Sequence, residues 1–321
     1  MIKILANDGI HPLAKIELEH RGFVVDTTKV AQEKLKEAFM EYDVLLVRSA
    51  TKVKEADLPM NPRVKLIGRA GVGLDNIDQA ATKAIGIEVF NTPAASSKAV
   101  ASLTMAMLMS ISRNIADAAR KMPEKGASDF SKLKKELAGG FELEGKKIGI
   151  IGFGRIGQEL AKMALGLGME VMPYDAIYEP DHVFVKIGNQ DIKIPLTARK
   201  MEDIILHADI ISVHVPSQGG SAVLGEAEIE RMKKGVILLN TSRGGIIDED
   251  ALLLGIKLGI VKAAGLDVFT GEPNPRPELL NHPQILTTPH VGAETEEAQL
   301  RIGMEIVERI YTFFGDHSGA L

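Results

Sequence analysis

Apolar positions along this chain fall into short contiguous runs, separated by longer stretches in which they recur every three or four residues. Ile2–Ala6, Phe23–Asp26, Val44–Val47, Val64–Gly68 and Ile87–Phe90 read as strands, and His11–His20 and Ala31–Glu41 carry helical spacing between them. A second series begins at Lys147–Ile151 and continues with Glu170–Tyr174, Asp209–His214, Val236–Asn240, Val261–Gly265 and Gln284–Thr288. Strands that alternate with helices predict parallel sheets, because each parallel return needs a connection long enough to cross the sheet. Two series predict two α/β domains.

Four stretches stand outside that rhythm. Ser97 to Lys121 holds no Gly or Pro and is rich in Ala, Met, Leu and Ser. A helix apolar around most of its circumference is buried, either inside its own chain or against another. Met122 to Gly145 is polar and Gly-containing and reads as a linker or surface excursion. Two alternating runs flank Gly188-Asn189 between Asp181 and Ile194, the pattern of an inserted β-hairpin. Glu294 to Phe314 has helical spacing and stops at Gly315.

Composition narrows the classes. The 321 residues carry 38 basic and 43 acidic side chains, a net charge of −5, which argues against a general nucleic-acid grip. Cysteine is absent, so disulfide scaffolds and thiolate metal sites are excluded, and no metal is expected. The first residues lack the features of a signal peptide, and the most apolar window, Ala99 to Ile111, is too short to span a bilayer. A cytoplasmic protein with no membrane partner is the expectation.

The strongest chemical signal is Gly152-Phe153-Gly154-Arg155-Ile156-Gly157, between the strand Lys147–Ile151 and the helix Gln158–Leu167. A second strand then ends in Asp175, 18 residues after Gly157. That context identifies a dinucleotide fingerprint: Gly152 for the tight turn, Gly154 for close approach of a pyrophosphate, and Gly157 for helix–strand packing. Asp175 would accept the ribose hydroxyls and repel a 2′-phosphate, so NAD is favoured over NADP. Two lookalikes fail. Gly71-Val72-Gly73 has no third glycine, and Gly140 to Lys147 precedes its strand and carries Lys in place of Ser/Thr.

A second constellation follows later strands. Arg243 comes after Val236–Asn240, Glu272 after Val261–Gly265, and His290 after Gln284–Thr288. In open α/β sheets ligands bind at such strand ends. Hydride chemistry on a hydroxy acid needs this set: a guanidinium for the carboxylate, an imidazole for the hydroxyl proton, and a carboxylate to orient the imidazole.

These segments, with Leu46 to Val53, Gly68 to Asp78, Asn91-Thr92-Pro93, Asp267-Val268-Phe269 and Pro289 to Ala293, resemble the D-isomer-specific 2-hydroxyacid dehydrogenase family. Within it they are most similar to the branch acting on 3-phospho-D-glycerate. The resemblance implies two doubly wound parallel-sheet domains. One is a Rossmann NAD-binding domain over 98–289; the other is a discontinuous flavodoxin-like substrate domain over 1–97 plus 290–321. It implies catalytic roles for Arg243, Glu272 and His290. It implies NAD contacts from Gly152, Gly154, Arg155, Ile156, Gly157, Asp175, Val215, Thr241, Ser242, Arg243, Asp267, His290 and Ala293. Substrate contacts are implied for Arg48, Arg69, Val72, Gly73, Arg243 and His290, with Arg48 and Arg69 as the phosphate candidates. Val72 and Val215 depart from the hydroxyl residues common in relatives. A homodimer or dimer of dimers built on the helix near 97–121 is implied as well. Because the chain stops at Leu321, feedback through C-terminal regulatory domains is not expected.

The expected reaction is hydride transfer between 3-phospho-D-glycerate and NAD, giving 3-phosphohydroxypyruvate, the first step of L-serine biosynthesis. Two alternatives remain open at this point. One is a glyoxylate or hydroxypyruvate reductase, or another D-2-hydroxyacid dehydrogenase. The other is an NADH-sensing binding protein on the same fold.

Overall fold

The computed structural model describes residues 1–217 and 219–315. The first series comprises β1 (Lys3–Ala6), α1 (Pro12–His20), β2 (Val24–Asp26), α2 (Leu35–Glu41), β3 (Val44–Val47), β4 (Leu66–Arg69), α3 (Gln79–Ala84) and β5 (Glu88–Asn91). The helices α4 (Ser97–Ser112) and α5 (Ile115–Glu136) follow. The second series runs β6 (Lys147–Ile151), α6 (Arg155–Gly166), β7 (Glu170–Tyr174), β8 (His182–Ile187), β9 (Gln190–Pro195), α7 (Met201–His207) and β10 (Ile210–Val213). It ends with α8 (Glu226–Glu230), β11 (Val236–Asn240), α9 (Glu249–Lys257), β12 (Val261–Leu266), α10 (Pro277–Leu280), β13 (Ile285–Thr287) and α11 (Glu296–Phe314). The chain divides into two units, Met1–Ala99 with Ala293–Leu321, and Val100–Gly292. The domain range expected through Leu321 runs past Gly315, and positions 316–321 lie outside the described residues.

The first unit is built on a parallel sheet of order β2-β1-β3-β4-β5. Alternation along β1 sends Ile4 and Ala6 to one face and Leu5 to the other. The first face packs on α1 and α11 through Ala14, Leu18, Ile302, Ile306, Val307 and Ile310. Full burial of each Leu, Ile or Val among them is worth roughly 1.5–3 kcal/mol. Gly303 permits the close crossing, since a Cβ there would press into Ala14 and His11. Thr295 caps α11 by accepting the Ala298 N–H at 3.2 Å, and Gly315 at φ 82° ends it. The return of α11 to this unit makes it discontinuous in sequence.

The second unit carries a parallel sheet of order β13-β12-β11-β10-β6-β7. Strand order reverses between β6 and β10, which creates a crevice at their C-terminal ends. The expected hairpin is present: β8 and β9 pair antiparallel, with Val183 opposite Ile194, and turn at Gly188 with φ 60°.

Helix α4 is buried within its own unit, where Ala101, Met105, Met107 and Leu108 pack against the sheet residues Ile148, Ile150, Ile237 and Leu239. Its apolar character is thus accounted for inside the chain. The stretch from Met122 is not a linker but continues as helix to Glu136, around Pro123 and a non-helical Asp129. Lys121 Nζ lies 2.5 Å from Glu136 Oε1, although fifteen residues of straight helix would span about 22 Å. The chain therefore doubles back at Asp129, and Asn114 Nδ2 closes the fold by donating to Leu137 O at 3.1 Å. Lys, Glu and Ala favour helix, and this local hairpin outweighs Pro123 and Gly126 within it.

Candidate active site

The glycine loop leaves β6 at the point where strand order reverses. Gly152 has φ 91°, a conformation that side chains disfavour, and a Cβ there would strike the His214 carbonyl beyond β10. A Cβ on Gly157 would strike Gly152 O, so α6 can start this close to β6 only with glycine. Gly154, the N-cap of α6, has open space around its Cβ position. Arg155 and Ile156 form the first turn of α6, whose N-terminal N–H groups suit an anion. Asp175, just past β7, holds the loop: its Oδ2 accepts the Phe153 N–H at 2.8 Å and its Oδ1 the Ile177 N–H at 2.9 Å. An open glycine backbone, a helix N-terminus and an adjacent carboxylate fit a dinucleotide.

Val215 follows His214 on the floor of this crevice. The His214 ring contacts Ser212 Oγ through Nε2 at 2.8 Å, while its Nδ1 is shut from solvent with no hydrogen-bond partner among the described residues. Burial pushes this imidazole down to about 4, so it is neutral at physiological pH.

Arg243, Glu272 and His290 follow the adjacent strands β11, β12 and β13. Beyond β11, Asn240 shapes the turn: its Oδ1 accepts from Ser242 N–H at 3.0 Å and Oγ at 2.8 Å, and its Nδ2 donates to Arg243 O at 2.8 Å. Thr104 Oγ1 donates to Val100 O, so in the 2.8 Å contact between hydroxyls Thr241 is the donor to Thr104. Gly244 lies against the Phe269 carbonyl too closely for any side chain, which locks the Arg243 turn to the loop after β12.

Glu272 Oε1 accepts the Phe269 N–H at 2.9 Å and Oε2 faces His290 Nδ1 at 2.8 Å. Burial opposes its ionisation, but the His290 contact, the Phe269 N–H and the charges of His290 and Arg243 outweigh it and hold its pKa below the usual carboxylate range. An ionised carboxylate can only accept, so the proton on the His290 ring sits at Nδ1 and Nε2 is left for chemistry. His290 itself has φ 55°. That strain is carried by Asp267, which is 1% exposed. Its Oδ1 takes Thr288 Oγ1 at 2.6 Å and the Val291 N–H at 2.8 Å, and its Oδ2 takes the Gly292 N–H at 2.9 Å. Asp267 thus braces the histidine loop, a role its place in the motif did not announce.

The remaining expected residues belong to the first unit. Arg69, at the end of β4, folds its guanidinium over Gly71 and donates to Ala70 O at 3.4 Å. The Val72–Gly73 loop is tied down by Gly71 N–H to Thr92 Oγ1 at 2.8 Å and Asn91 Nδ2 to Val72 O at 2.5 Å. Ala293 O accepts from Thr295 N–H at 3.0 Å and Gln299 Nε2 at 2.9 Å, so it belongs to the start of α11. Arg48 lines a cavity of about 410 Å³ with Asn7, Asp8, Lys29, Ser49 and Glu294. This cavity lies over the C-terminal ends of β1 and β3, where the strand order of the first sheet reverses. Sequence reading missed Asp8, Lys29 and Glu294; the position of Asp8 directly after the first strand was the available signal.

Comparison with known proteins points to the same fold and the same cofactor class. The family model for the NAD binding domain of D-isomer specific 2-hydroxyacid dehydrogenases matches residues 105–292. A hydroxypyruvate reductase of Thermotoga maritima is 40% identical over 295 residues, covering 91% of each chain. A D-3-phosphoglycerate dehydrogenase of Methanocaldococcus jannaschii is 40% identical over 311 residues, 97% of this chain but only 57% of that one. The chain thus spans little more than half of the phosphoglycerate dehydrogenase it matches. Among solved structures, the TT0316 protein of Thermus thermophilus superposes with a TM-score of 0.80 at 27% identity, covering 96% of this chain and 95% of that one. An NAD-dependent formate dehydrogenase of Staphylococcus aureus in complex with NAD gives 0.80 at 25% identity, covering 98% and 96%.

Proposed function

Because the chain belongs to the D-isomer-specific 2-hydroxyacid dehydrogenase family, NAD-dependent oxidoreductases of small hydroxy acids, we propose that it interconverts 3-phospho-D-glycerate and 3-phosphohydroxypyruvate. The observation that carries the choice of a phosphorylated acid is the cavity at the β1/β3 reversal, where Lys29 and Arg48 stand beside the acids Asp8 and Glu294 and Arg48 offers a half-exposed guanidinium. Guanidinium groups recognise phosphate through paired N–H donors. On this reading Arg48 and Arg69 hold the phosphate, and the main-chain N–H groups of Val72 and Gly73 and the Arg243 guanidinium hold the carboxylate.

His290 Nε2 takes the proton of the C2 hydroxyl, and Glu272 at Nδ1 stabilises the imidazolium formed. In the reverse direction the same imidazolium returns the proton to the carbonyl oxygen. NAD, when bound, supplies the hydride acceptor. Gly152, Gly154, Gly157 and the first turn of α6 with Arg155 and Ile156 hold its pyrophosphate, and Asp175 its ribose. Val215, Thr241 and Ser242 complete that shell from the ends of β10 and β11, with Asp267 acting through the loop it braces and Ala293 through its main chain. A homodimer is part of the proposal, supported by the exposed apolar side chains Met109, Ile115, Met122 and Phe130 around α5. Light scattering on the purified protein tests it.

A second reading, an unphosphorylated acid such as hydroxypyruvate, is favoured by the Thermotoga maritima relative that matches along 91% of both chains. Steady-state assays following NADH absorbance with 3-phosphohydroxypyruvate, hydroxypyruvate and glyoxylate separate the two. A kcat/KM about a hundredfold higher for the phosphorylated acid, worth about 2.7 kcal/mol, is the expected result. Comparable values, or turnover of unphosphorylated acids alone, select the second reading. No turnover with any acid leaves only a binding protein.

A further inference from the structure

The two acids of the β1/β3 cavity are held very differently. Asp8 is buried and saturated: Lys29 Nζ and Thr51 Oγ1 donate to its Oδ1, and the N–H groups of Arg48 and Thr51 donate to its Oδ2. Burial opposes its ionisation, yet these donors outweigh that and hold its pKa below the ordinary carboxylate range. Asp8 is a fixed part of the cavity wall. Glu294 stands in the short connection before α11 with its side chain 41% exposed, and its carboxylate is paired with Arg48 Nη2. Arg48 is anchored by its main chain on both sides, its N–H on Asp8 at 2.7 Å and its carbonyl on Asn76 Nδ2 at 2.8 Å. The Arg48 backbone is therefore fixed at the cavity while the partner of its guanidinium is exchangeable, since a half-exposed ion pair competes poorly against water and other anions.

We propose that Glu294 is a specificity-determining residue that occupies Arg48 until a doubly charged substrate end replaces it. The inference rests on the reading that Arg48 receives the substrate phosphate. A phosphate monoester carries about −1.5 to −2 charge near pH 7 and three acceptor oxygens, against one negative charge on Glu294. The dianion wins the exchange, a carboxylate competes only evenly, and a neutral hydroxymethyl end offers no exchange at all. The internal carboxylate thus sets a threshold on charge that turns away a competing carboxylate end, at a cost to phosphate affinity that a neutral end never meets. Lys29, which lines the same cavity, favours the same dianion, because Asp8 keeps three other donors if the ammonium turns to a ligand.

If Glu294 instead pre-orients Arg48 for its substrate, its removal weakens binding, and the two roles have opposite signs. The test compares wild type, Glu294→Gln, Arg48→Met and the double variant with 3-phosphohydroxypyruvate and hydroxypyruvate, and measures inorganic phosphate binding by calorimetry. The expected result is a KM for the phosphorylated acid lowered about three- to tenfold in Glu294→Gln, a raised selectivity ratio, and tighter inorganic phosphate binding. In the Arg48→Met background the gain should vanish. A KM that rises, or a ratio and phosphate affinity unchanged in an enzyme that does prefer the phosphorylated acid, overturns the role of Glu294 alone. A wild-type enzyme without that preference overturns the phosphate reading and this inference with it.

Discussion

His290 and Glu272 meet through Nδ1 and Oε2 at 2.8 Å, and the second oxygen of Glu272 is fixed by the Phe269 N–H at 2.9 Å. The carboxylate cannot rotate away from the ring without giving up a main-chain hydrogen bond. Orientation and charge are therefore delivered by one group.

Replacing His290 by Ala should lower kcat by about 10²–10⁴ while NADH affinity, read by calorimetry, stays within a few-fold. Glu272→Gln keeps the Phe269 contact but loses the charge, so kcat should fall less, by about ten- to a hundredfold. Loss of NADH binding in either variant would make the pair a structural brace.

Asp175→Ala should reduce the kcat/KM preference for NAD over NADP by at least about tenfold, the loss of roughly one charge-assisted hydrogen bond. Steady-state kinetics with both cofactors reads this directly. An unchanged ratio rejects the ribose role and leaves Asp175 as the anchor of Phe153.

Gly157→Ala should destabilise the fold by about 1–3 kcal/mol, because its Cβ meets the Gly152 carbonyl and α6 must shift. NADH affinity should fall with it, since the shift deforms the loop. Calorimetric melting and binding on the same sample separate the two effects; a normal Tm with normal binding would show that the contact is relaxed at no cost.

His214 should make stability depend on pH. Its imidazole is pushed down to about 4 in the folded chain, against about 6.5 when unfolded. Between those values the unfolded chain binds a proton that the folded chain does not. The stability is therefore complete above about pH 6.5 and is lost as pH falls towards 4, by at most about 3 kcal/mol. In His214→Asn this slope of ΔG against pH should flatten in urea titrations at pH 7 and pH 5. An unchanged slope would assign the acid sensitivity to other groups.

The strands were legible because buried parallel strands are nearly continuous apolar runs, as in Val44–Val47 and Val236–Asn240. The glycine loop was legible for a related reason, since only glycine satisfies the close approaches at Gly152 and Gly157. The fold-back of α5 was hidden, because Pro123 and Gly126 look like breakers while the pairing of Lys121 with Glu136 emerges only once Asp129 turns the chain. Arg48 and Glu294 are 246 positions apart, and no local pattern links them. The same holds for Asp267, whose work depends on three donors brought by the loop after β13.

The hairpin β8–β9 leaves the second sheet beyond β7, its outermost strand, and rests on the domain through Val183 while Gly188 and Asn189 stand in solvent. Growth or shortening at that tip disturbs no ladder of the main sheet, and the entropy of a longer loop rises only slowly with its length. Residues 188–189 are accordingly a graft position: a peptide tag or a fluorescent reporter inserted there would be carried on a two-stranded stalk that lies outside the main sheet.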